Sequence, residues 1–386
     1  NMLGGAVDIN PNCTTYCNGG SAFGIEEYVY VGTVTLTSCS DWVLGACINA
    51  RNGSINTVYN PGSEDLCVEA TLNNSTATNN SPTFTEYPTP FICAGQLFCY
   101  NNGTIEPDGD LLVYELVTPL GTTGPVNYIP PYSATNPVGG GSVFDVNNGN
   151  LCVTPPSAIN GILAIKVSEY RQGVLVGSII RDIQVTVFSC AAVNPPELSG
   201  IDISSSVDIN DATTYTAQIC PDGIQSLNFD INTINTNPPG NTDAFVDMSW
   251  NNSIAGATFT VANNNTMNPV GTFNWTPTLA DTLGSPYFFT VSLINSACPA
   301  PGAMSFTYEV IVDASSDLIA SAVINNPTCF GYSDGSIDIN VSGTASPFSY
   351  LWDDSSAQTT QTATGLVSGT YSCEIADANG CFSDES

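Results

Sequence analysis

The chain contains no histidine among its 386 residues, and only four Lys and Arg stand against 35 Asp and Glu, for a net charge of −31. The most frequent general base of enzymes is therefore missing, and so is the imidazole ligand of most zinc sites. A chain this poor in cations cannot neutralise nucleic-acid phosphates. These absences predict a non-catalytic protein with no nucleic-acid partner.

Long apolar runs are also absent. No stretch of 18 or more apolar residues occurs, which predicts no membrane-spanning helix. The first residues, Asn1-Met-Leu-Gly-Gly5, lack the charged and apolar regions of a signal peptide. For an exported protein, we therefore expect a mature or partial chain.

Cysteine, by contrast, is abundant. Fourteen cysteines without a histidine favour disulfides formed in an oxidising, extracellular compartment. Apolar and polar residues alternate, and Gly, Pro, Asn, Ser and Thr interrupt them at about the 8–12-residue spacing typical of β-sandwiches. The predicted fold class is all-β, with tandem immunoglobulin-like and cadherin-like sandwich modules.

Three of the four cations lie in one stretch, at Lys166, Arg171 and Arg181. Two β-rich runs flank Arg171-Gln-Gly173, which predicts a hairpin. We expect these arginines to pair with the nearby Glu169 and Asp182 as structural ion pairs.

Composition and the positions of the turn-forming residues divide the chain into four predicted modules. The first, residues 1–79, has too few strands to close a sandwich. The others span residues 80–190, 191–314 and 315–386, and an Asn194-Pro-Pro196 linker opens the third.

The second module carries Pro82-Thr-Phe84, then Glu106-Pro-Asp108-Gly-Asp110, in an order that resembles a cadherin-like sandwich. In cadherin-type modules such acidic turns hold calcium. The resemblance implies a Ca²⁺ site at Glu106, Asp108 and Asp110, because calcium prefers oxygen ligands. The alternative is that Asp-Gly is only a turn between strands.

Two further motifs carry resemblances. Gly271-Thr-Phe-Asn-Trp275-Thr-Pro277 resembles immunoglobulin-like modules of large bacterial surface proteins, and its tryptophan is predicted to be core. Cys329-Phe-Gly-Tyr-Ser-Asp-Gly335, followed by Pro347-Phe-Ser-Tyr-Leu-Trp352 and Gly365-Leu-Val-Ser-Gly-Thr-Tyr371, closely resembles the SprB repeat of Bacteroidota gliding and adhesin proteins. That resemblance implies type IX secretion and a location on the cell surface outside the outer membrane. The sequence departs from it in showing neither an N-terminal signal nor a C-terminal sorting domain.

The cysteine positions predict a set of disulfides. Cys13 is expected to pair with Cys17 or Cys67, and one cysteine of the first module is left for a neighbouring subunit or a missing N-terminal segment. Cys373 is expected to be a buried free thiol. The remaining predicted pairs are Cys39–Cys47, Cys93–Cys190, Cys99–Cys152, Cys220–Cys298 and Cys329–Cys381.

Two short motifs concern chemistry. Gly331-Tyr-Ser333-Asp-Gly335 fits the G-x-S-x-G pattern of serine hydrolases, but a chain without histidine offers Ser333 no conventional base. We predict no catalytic and no cofactor-binding residue apart from the calcium site. Asp281-Thr282-Leu283 resembles the site at which Bacteroidota O-glycosylate exported proteins, which marks Thr282 for glycosylation.

The sequence thus favours an extracellular structural or adhesive cell-surface protein that self-associates or contacts neighbouring subunits. One alternative is a subunit of a fibre assembled by strand donation, since Tyr28 to Thr37 forms a long β-prone run. Another is a module that binds surface glycans through exposed aromatic side chains.

Overall fold

We describe the fold from a computed structural model of the chain. It describes residues 2–3, 29–75, 77–88, 91–189, 194–202, 215–219, 226–237, 244–297, 302–312, 319–342, 347–376 and 382–385. Strands dominate throughout, and the two helices described are short 3-10 turns at Pro61–Ser63 and Leu279–Gly284. The predicted all-β class is confirmed. Within these residues no helix has the length and apolar character needed to cross a bilayer.

Contacts group the chain into two compact units. One comprises Asn1–Tyr215, Phe229–Phe273 and Phe288–Tyr308, and the other comprises Thr216–Asn228, Asn274–Tyr287 and Glu309–Ser386.

The strands described up to residue 188 are mostly short and separated by turns. They are β1 (Met2–Leu3), β2 (Val29–Tyr30), β3 (Trp42–Ile48), β4 (Leu66–Leu72), β5 (Thr83–Phe84), β6 (Phe91–Cys93), β7 (Phe98–Tyr100), β8 (Thr104–Ile105), β9 (Leu111–Val117), β10 (Leu120–Gly121), β11 (Gly124–Pro125), β12 (Ser142–Phe144), β13 (Leu151–Val153), β14 (Ile159–Arg171) and β15 (Val174–Phe188).

Eight of these strands form one large sheet in the order β11-β10-β4-β15-β14-β9, in which β3 also pairs with β4 and β6 runs parallel to β15. A small sheet, β12-β13-β7, contributes to the same core. Alternate residues of β14 and β15, among them Ile165, Val167 and Val185, are buried there with Tyr114 and Leu151. This alternation is what a strand with one face in a core requires.

The predicted hairpin is confirmed, since β14 and β15 pair from Ile159↔Val187 to Arg171↔Val174. Its two turn residues, Gln172 and Gly173, have φ angles of 52° and 81°. A two-residue turn with positive φ at both positions matches the twist of the strands it joins, and glycine adopts that conformation without strain.

Strands β3 and β4 of the predicted first module belong to the large sheet. Strand β4 pairs with β15 at Gly177↔Leu72 to Ile179↔Ala70, and β3 pairs with β4. The predicted boundary at residues 79 and 80 therefore falls between strands of one sheet. A division into four modules stays a prediction.

The next group of strands forms two four-stranded sheets, β16-β18-β21-β20 and β17-β23-β22-β19. Stacked rings of Phe229, Phe273 and Phe289 fill the core, and Trp250 lies edge-on to the last two. Trp275 is 3% exposed, so it is a core residue as predicted. The strands are β16 (Glu197–Asp202), β17 (Thr216–Ile219), β18 (Leu227–Ile234), β19 (Val246–Trp250), β20 (Thr258–Ala262), β21 (Val270–Trp275), β22 (Tyr287–Asn295) and β23 (Ala303–Val312).

The last group forms two three-stranded sheets, β24-β25-β27 and β26-β28-β29. Trp352, Cys373 and Ile375 are buried at its centre, and Trp352 Nε1 donates to Thr360 O at 2.9 Å. The strands are β24 (Ile319–Asn325), β25 (Gly335–Ser342), β26 (Ser349–Trp352), β27 (Thr362–Leu366), β28 (Cys373–Ala376) and β29 (Phe382–Glu385).

The disulfide described in the first module corrects two predicted pairings. Cys47 bonds to Cys67, its direct neighbour across the β3–β4 ladder, and Cys39 is a free thiol. The Cys39–Cys47 pairing is therefore wrong, and so is the alternative of Cys13 with Cys67. An extended strand rises about 3.3 Å per residue. Cys47 is near the far end of β3 and is therefore out of reach of Cys39, which precedes the strand.

The expected neighbours Cys99 and Cys152 are joined, opposite one another in the β7–β13 pair. Cys93 is also disulfide-bonded, with a partner outside the described residues. Cys13, Cys17, Cys190, Cys220, Cys298 and Cys381 fall there too, so the predicted pairs Cys93–Cys190 and Cys220–Cys298 stay predictions.

The predicted Cys329–Cys381 bond is also wrong, because Cys329 is an exposed free thiol. Cys329 lies in the turn between β24 and β25, near Gly335. Position along the sequence does not determine what a turn residue faces, and this turn leaves the thiol of Cys329 exposed to solvent. Cys373 is free and buried, as predicted.

Candidate functional site

The predicted calcium ligands lie beside the turn of the long hairpin. Strand β9 starts at Leu111, which pairs with Tyr170 near the end of β14. The preceding segment, with Glu106, Asp108 and Asp110, is thereby placed next to Glu169 and Arg171. We call Glu106, Asp108, Asp110 and Glu169 the acidic cluster.

Arg171 neutralises part of this cluster. Its Nε lies 2.7 Å from Asp110 Oδ1 and its second terminal nitrogen 2.7 Å from Asp110 Oδ2, a two-point contact that fits a planar guanidinium. The same nitrogen lies 3.2 Å from Asp108 Oδ2. The expected partner Glu169 instead accepts from Asn79 Nδ2 at 2.6 Å. That part of the ion-pair prediction is wrong.

The other expected partner, Asp182, binds the fourth arginine of the chain. Arg51 contacts both of its carboxylate oxygens, at 2.6 and 3.1 Å, and also donates to Leu120 O. Both side chains are 1% exposed. Arg181 instead donates to Glu86 O at 2.7 Å and lies over the ring of Phe84. Proximity in the sequence therefore predicts the wrong partner for Asp182, because Arg51 reaches this carboxylate across the outer face of the sheet.

Three carboxylates of the cluster converge on one point. One oxygen from each of Glu106, Asp110 and Glu169 lies within 4.8 Å of the others. Glu169 is fully buried, and Glu106 Oε1 and Glu169 Oε1 have no hydrogen-bond partner among the described residues. Buried carboxylate oxygens without a partner are costly, so the cluster calls for a cation or a proton.

The pKa values of Glu169 and Asp108 shift in opposite directions because their surroundings differ. Burial raises the pKa of Glu169, and repulsion from Glu106, Asp110 and Asp108 adds to the rise, while the hydrogen bond from Asn79 opposes it. The pKa of Asp108 is lowered, first by hydrogen bonds from Asn80 and then by Arg171. Glu169 is therefore easier to protonate than a solvent-exposed glutamate, whereas the surroundings of Asp108 favour its ionised form.

The residues present fit a calcium ion in part. Ca²⁺ is bound by oxygens at about 2.3–2.6 Å, and oxygens up to 4.8 Å apart can share one such ion. Glu106 and Asp110 are predicted ligands that belong to this set, and an ion here would share the oxygens of Asp110 with Arg171. Asp108 is turned toward Asn80 and Arg171 and lies outside the set. Glu169 is a further member that the sequence analysis does not predict as a ligand. The sequence does contain a signal for it, because this carboxylate occupies the next core-facing position of β14 after Leu163, Ile165 and Val167.

A second polar feature, within the first unit, is a buried junction between the β7–β13 region and β23. Asn150 Nδ2 donates to Thr307 O at 3.0 Å, and Thr307 N donates to Asn150 Oδ1 at 2.8 Å. Asn101 N donates to Ser305 Oγ at 2.7 Å. Uncharged groups satisfy one another here, so this junction holds without any ion.

The remaining predicted residues lie apart from both features. Thr282 is in the Leu279–Gly284 turn, where its hydroxyl donates to Leu279 O at 2.9 Å. Ser333 lies exposed in the turn before β25, in a chain that contains no histidine. The structure does not bring either residue to the acidic cluster.

Comparison with known families identifies one segment. Residues 321–357 match the SprB repeat, and they run from β24 through β26, including the buried Trp352. No curated protein matches the chain.

Solved structures that match the chain include extracellular cadherin domains and a titin tandem. The protocadherin gammaB4 extracellular domain has 10% identity and a TM-score of 0.24, and the match covers 94% of this chain and 62% of that one. Drosophila N-cadherin EC1-4 has 11% identity and a TM-score of 0.21 over 91% of this chain and 92% of that one. A chimeric titin Z1Z2 tandem has 8% identity and a TM-score of 0.22 over 60% and 100%.

Proposed function

We propose that this chain is an extracellular structural or adhesive cell-surface protein of a Bacteroidota-type bacterium, exported by the type IX system to the outside of the outer membrane. The observation that carries the proposal is the SprB-repeat match at residues 321–357. It falls on a folded module with its own buried core, so the repeat is a structural unit of the chain.

Chemistry elsewhere in the chain supports the same assignment. Disulfides such as Cys99–Cys152 persist in oxidising surroundings outside the cytosol. A net charge of −31 keeps an exposed surface soluble and attracts divalent cations. The absence of histidine removes the usual base for hydrolysis, which favours a binding or structural role over catalysis.

Calcium has a specific place in this proposal. The acidic cluster would hold one Ca²⁺ through Glu106, Asp110 and Glu169, and the ion would satisfy the two orphan carboxylate oxygens. Because Glu106 and Asp110 both lie in the connection between β8 and β9 and Glu169 is in β14, a bound ion would tie this connection to β14 at the hairpin end.

Surface labelling of intact cells tests the surface assignment. An antibody against the folded chain should label living cells of the native bacterium, and added protease should remove the signal without lysis. A strain that lacks the gene should attach less firmly to surfaces. Signal only after lysis would refute the surface location, and unchanged attachment would refute the adhesive role.

Strand donation between subunits is a second candidate, favoured by the exposed edge strand β3. Val43, Leu44 and Ile48 on β3 are exposed, as are Tyr30 and Val34 in the preceding segment. Strand edges with exposed apolar side chains pair readily with another chain. Negative-stain images of purified protein distinguish the two candidates: single rods favour a stalk, and a regular helical repeat that Leu44→Lys abolishes favours the fibre.

Two smaller assignments belong to the same proposal. The chain is organised as four modules, at residues 1–79, 80–190, 191–314 and 315–386, with strands of the first contributed to the sheet of the second. Thr282 carries the O-linked glycan. Its position in a short turn between β21 and β22 leaves the neighbouring Leu283 92% exposed, as an enzyme that modifies this site requires.

A further inference from the structure

A groove of about 570 Å³ lies on the outer face of the large sheet, within the first unit. Strand β15 alternates, so Ile183, Val185 and Val187 point into the core while Gln184 and Thr186 point outward into the groove. Asn160 is opposite Thr186 on β14 and extends the same floor. The groove volume is within the range of about 300–1,000 Å³ common for ligand sites.

The two walls of the groove differ in chemistry. On one side, the loop with Asn52 and Ser54 is fixed to the sheet, since Asn160 Nδ2 donates to Ser54 O at 3.1 Å. On the other side lie Phe91 and Phe188, whose ring centroids are 5.9 Å apart. Amide and hydroxyl groups therefore face an aromatic pair across an open floor.

The polar floor is available for a ligand. The side chains of Gln184 and Thr186 make no hydrogen bond to any residue that the structure describes, and each can both donate and accept. They are held by a 15-residue strand and need no rearrangement to present these groups. A rigid, unpaired set of donors and acceptors lowers the entropic cost of binding.

Charge defines the ligand class. Among the residues that the structure describes, the one ionisable side chain that lines the groove is Asp182, and both of its oxygens are engaged by Arg51. The described lining thus offers no cation for a phosphate, sulfate or carboxylate, and no free carboxylate for a cation. Uncharged polar groups opposite aromatic rings suit a molecule that has hydroxyls on its edge and C–H groups on its face.

We propose that this groove binds a neutral oligosaccharide. Gln184, Thr186 and Asn160 hydrogen-bond the sugar hydroxyls, and Phe91 and Phe188 contact the apolar face of a pyranose ring. This inference rests on the proposed surface function, for which it supplies a binding partner, but it is tested separately because the binding assay needs only purified protein.

The experiment uses the full chain on an array of immobilised neutral oligosaccharides (glucans, mannans, galactans and xylans), with sialylated and sulfated glycans on the same array. Hits are measured by calorimetry. We expect at least one neutral glycan to bind, with little change between 50 and 500 mM NaCl, because no ion pair is formed. Gln184→Ala and Thr186→Ala should each weaken binding at least fivefold, and the pair more.

The matched control is Gln218→Ala, which removes an exposed strand glutamine far from the groove in sequence and should bind as the wild type does. Gln184→Ala and Thr186→Ala leave the core face of β15 intact, so circular dichroism should show unchanged folding. Failure of the folded wild type to bind any neutral glycan would overturn the inference. So would binding that both variants retain, or binding of anionic glycans or peptides alone. Surface labelling of cells could still succeed in each of these cases.

Discussion

Glu169 lies directly opposite Gly177 in the β14–β15 ladder, and this glycine makes room for the buried carboxylate. A Cβ atom at Gly177 would come within 2.7 Å of Glu169 Oε1 and 3.2 Å of Asn79 Nδ2. A side chain at this position would therefore require Glu169 and Asn79 to shift, although the φ angle of Gly177 is not in the left-handed region. A cross-strand pair of glutamate and glycine defines the inner wall of the acidic cluster.

Calcium should stabilise the folded chain through this cluster. We expect 5 mM EDTA to lower the melting temperature by several degrees relative to millimolar Ca²⁺, because an ion that binds only the folded state stabilises it by mass action. Glu169→Gln should abolish most of that difference, whereas Glu374→Gln, an exposed carboxylate on β28, should retain it. Equal melting temperatures for the wild type in calcium and in EDTA would remove the calcium proposal.

Gly177→Ala tests the geometry of the same wall. The added methyl group should displace Glu169 and Asn79, so we expect a lower melting temperature in EDTA and a smaller response to calcium than in the wild type. Gly173→Ala, in the nearby turn, is the comparison: it strains the positive φ angle but adds no atom near the cluster. Its calcium response should match that of the wild type, and a loss of response in both variants would indicate general destabilisation.

In calcium-free buffer the cluster should make stability depend on pH. The folded-state pKa of Glu169 is raised above its ordinary value of 4.5, so its contribution to stability is fully present below that value and is lost as pH rises through the folded-state pKa. Asp108 has a lowered pKa, and its contribution is present above its ordinary value of 3.8 and lost as pH falls. In EDTA, the melting temperature of Glu169→Gln should therefore rise relative to that of the wild type as the pH is raised from 4 to 7. Parallel pH curves for the two proteins would contradict this assignment.

What the sequence could predict depended on whether the determinant is local. The β14–β15 hairpin was predictable because Gln172 and Gly173 separate two β-rich runs, and turn chemistry acts over neighbouring residues. The acidic turn at Glu106 to Asp110 was predictable for the same reason. The partners of these side chains were not: Arg51 meets Asp182 across 131 positions, and Cys47 meets Cys67 through a strand register that no local pattern specifies. Glu169 could have been found, since a carboxylate on the core-facing side of a strand needs a partner.

The buried junction at Asn150 should tolerate loss of calcium but not loss of its amide. Asn150→Asp keeps the shape of the side chain, but an ionised carboxylate cannot donate to Thr307 O and places a charge in a buried site, at a cost of at least about 1–3 kcal/mol. Urea unfolding should show that loss in calcium and in EDTA alike. Asn147→Asp, an exposed position three residues earlier, should change stability little. An Asn150→Asp protein as stable as the wild type would mean that the junction does not form.

The free thiols should differ sharply in reactivity. Cys329 is exposed, whereas Cys373 is fully buried and burial raises the pKa of its thiol, so less thiolate is present at neutral pH. Brief treatment of the native, unreduced chain with iodoacetamide at pH 7.5 should alkylate Cys329 and spare Cys373, which should react only in denaturant. Peptide mass spectrometry reads both positions, and the same spectra should contain the Cys47–Cys67 and Cys99–Cys152 linked peptides. A linked peptide that joins Cys329 to Cys381 would contradict the free thiol seen in the turn before β25, and alkylation of Cys373 in the native chain would contradict the packing around Trp352.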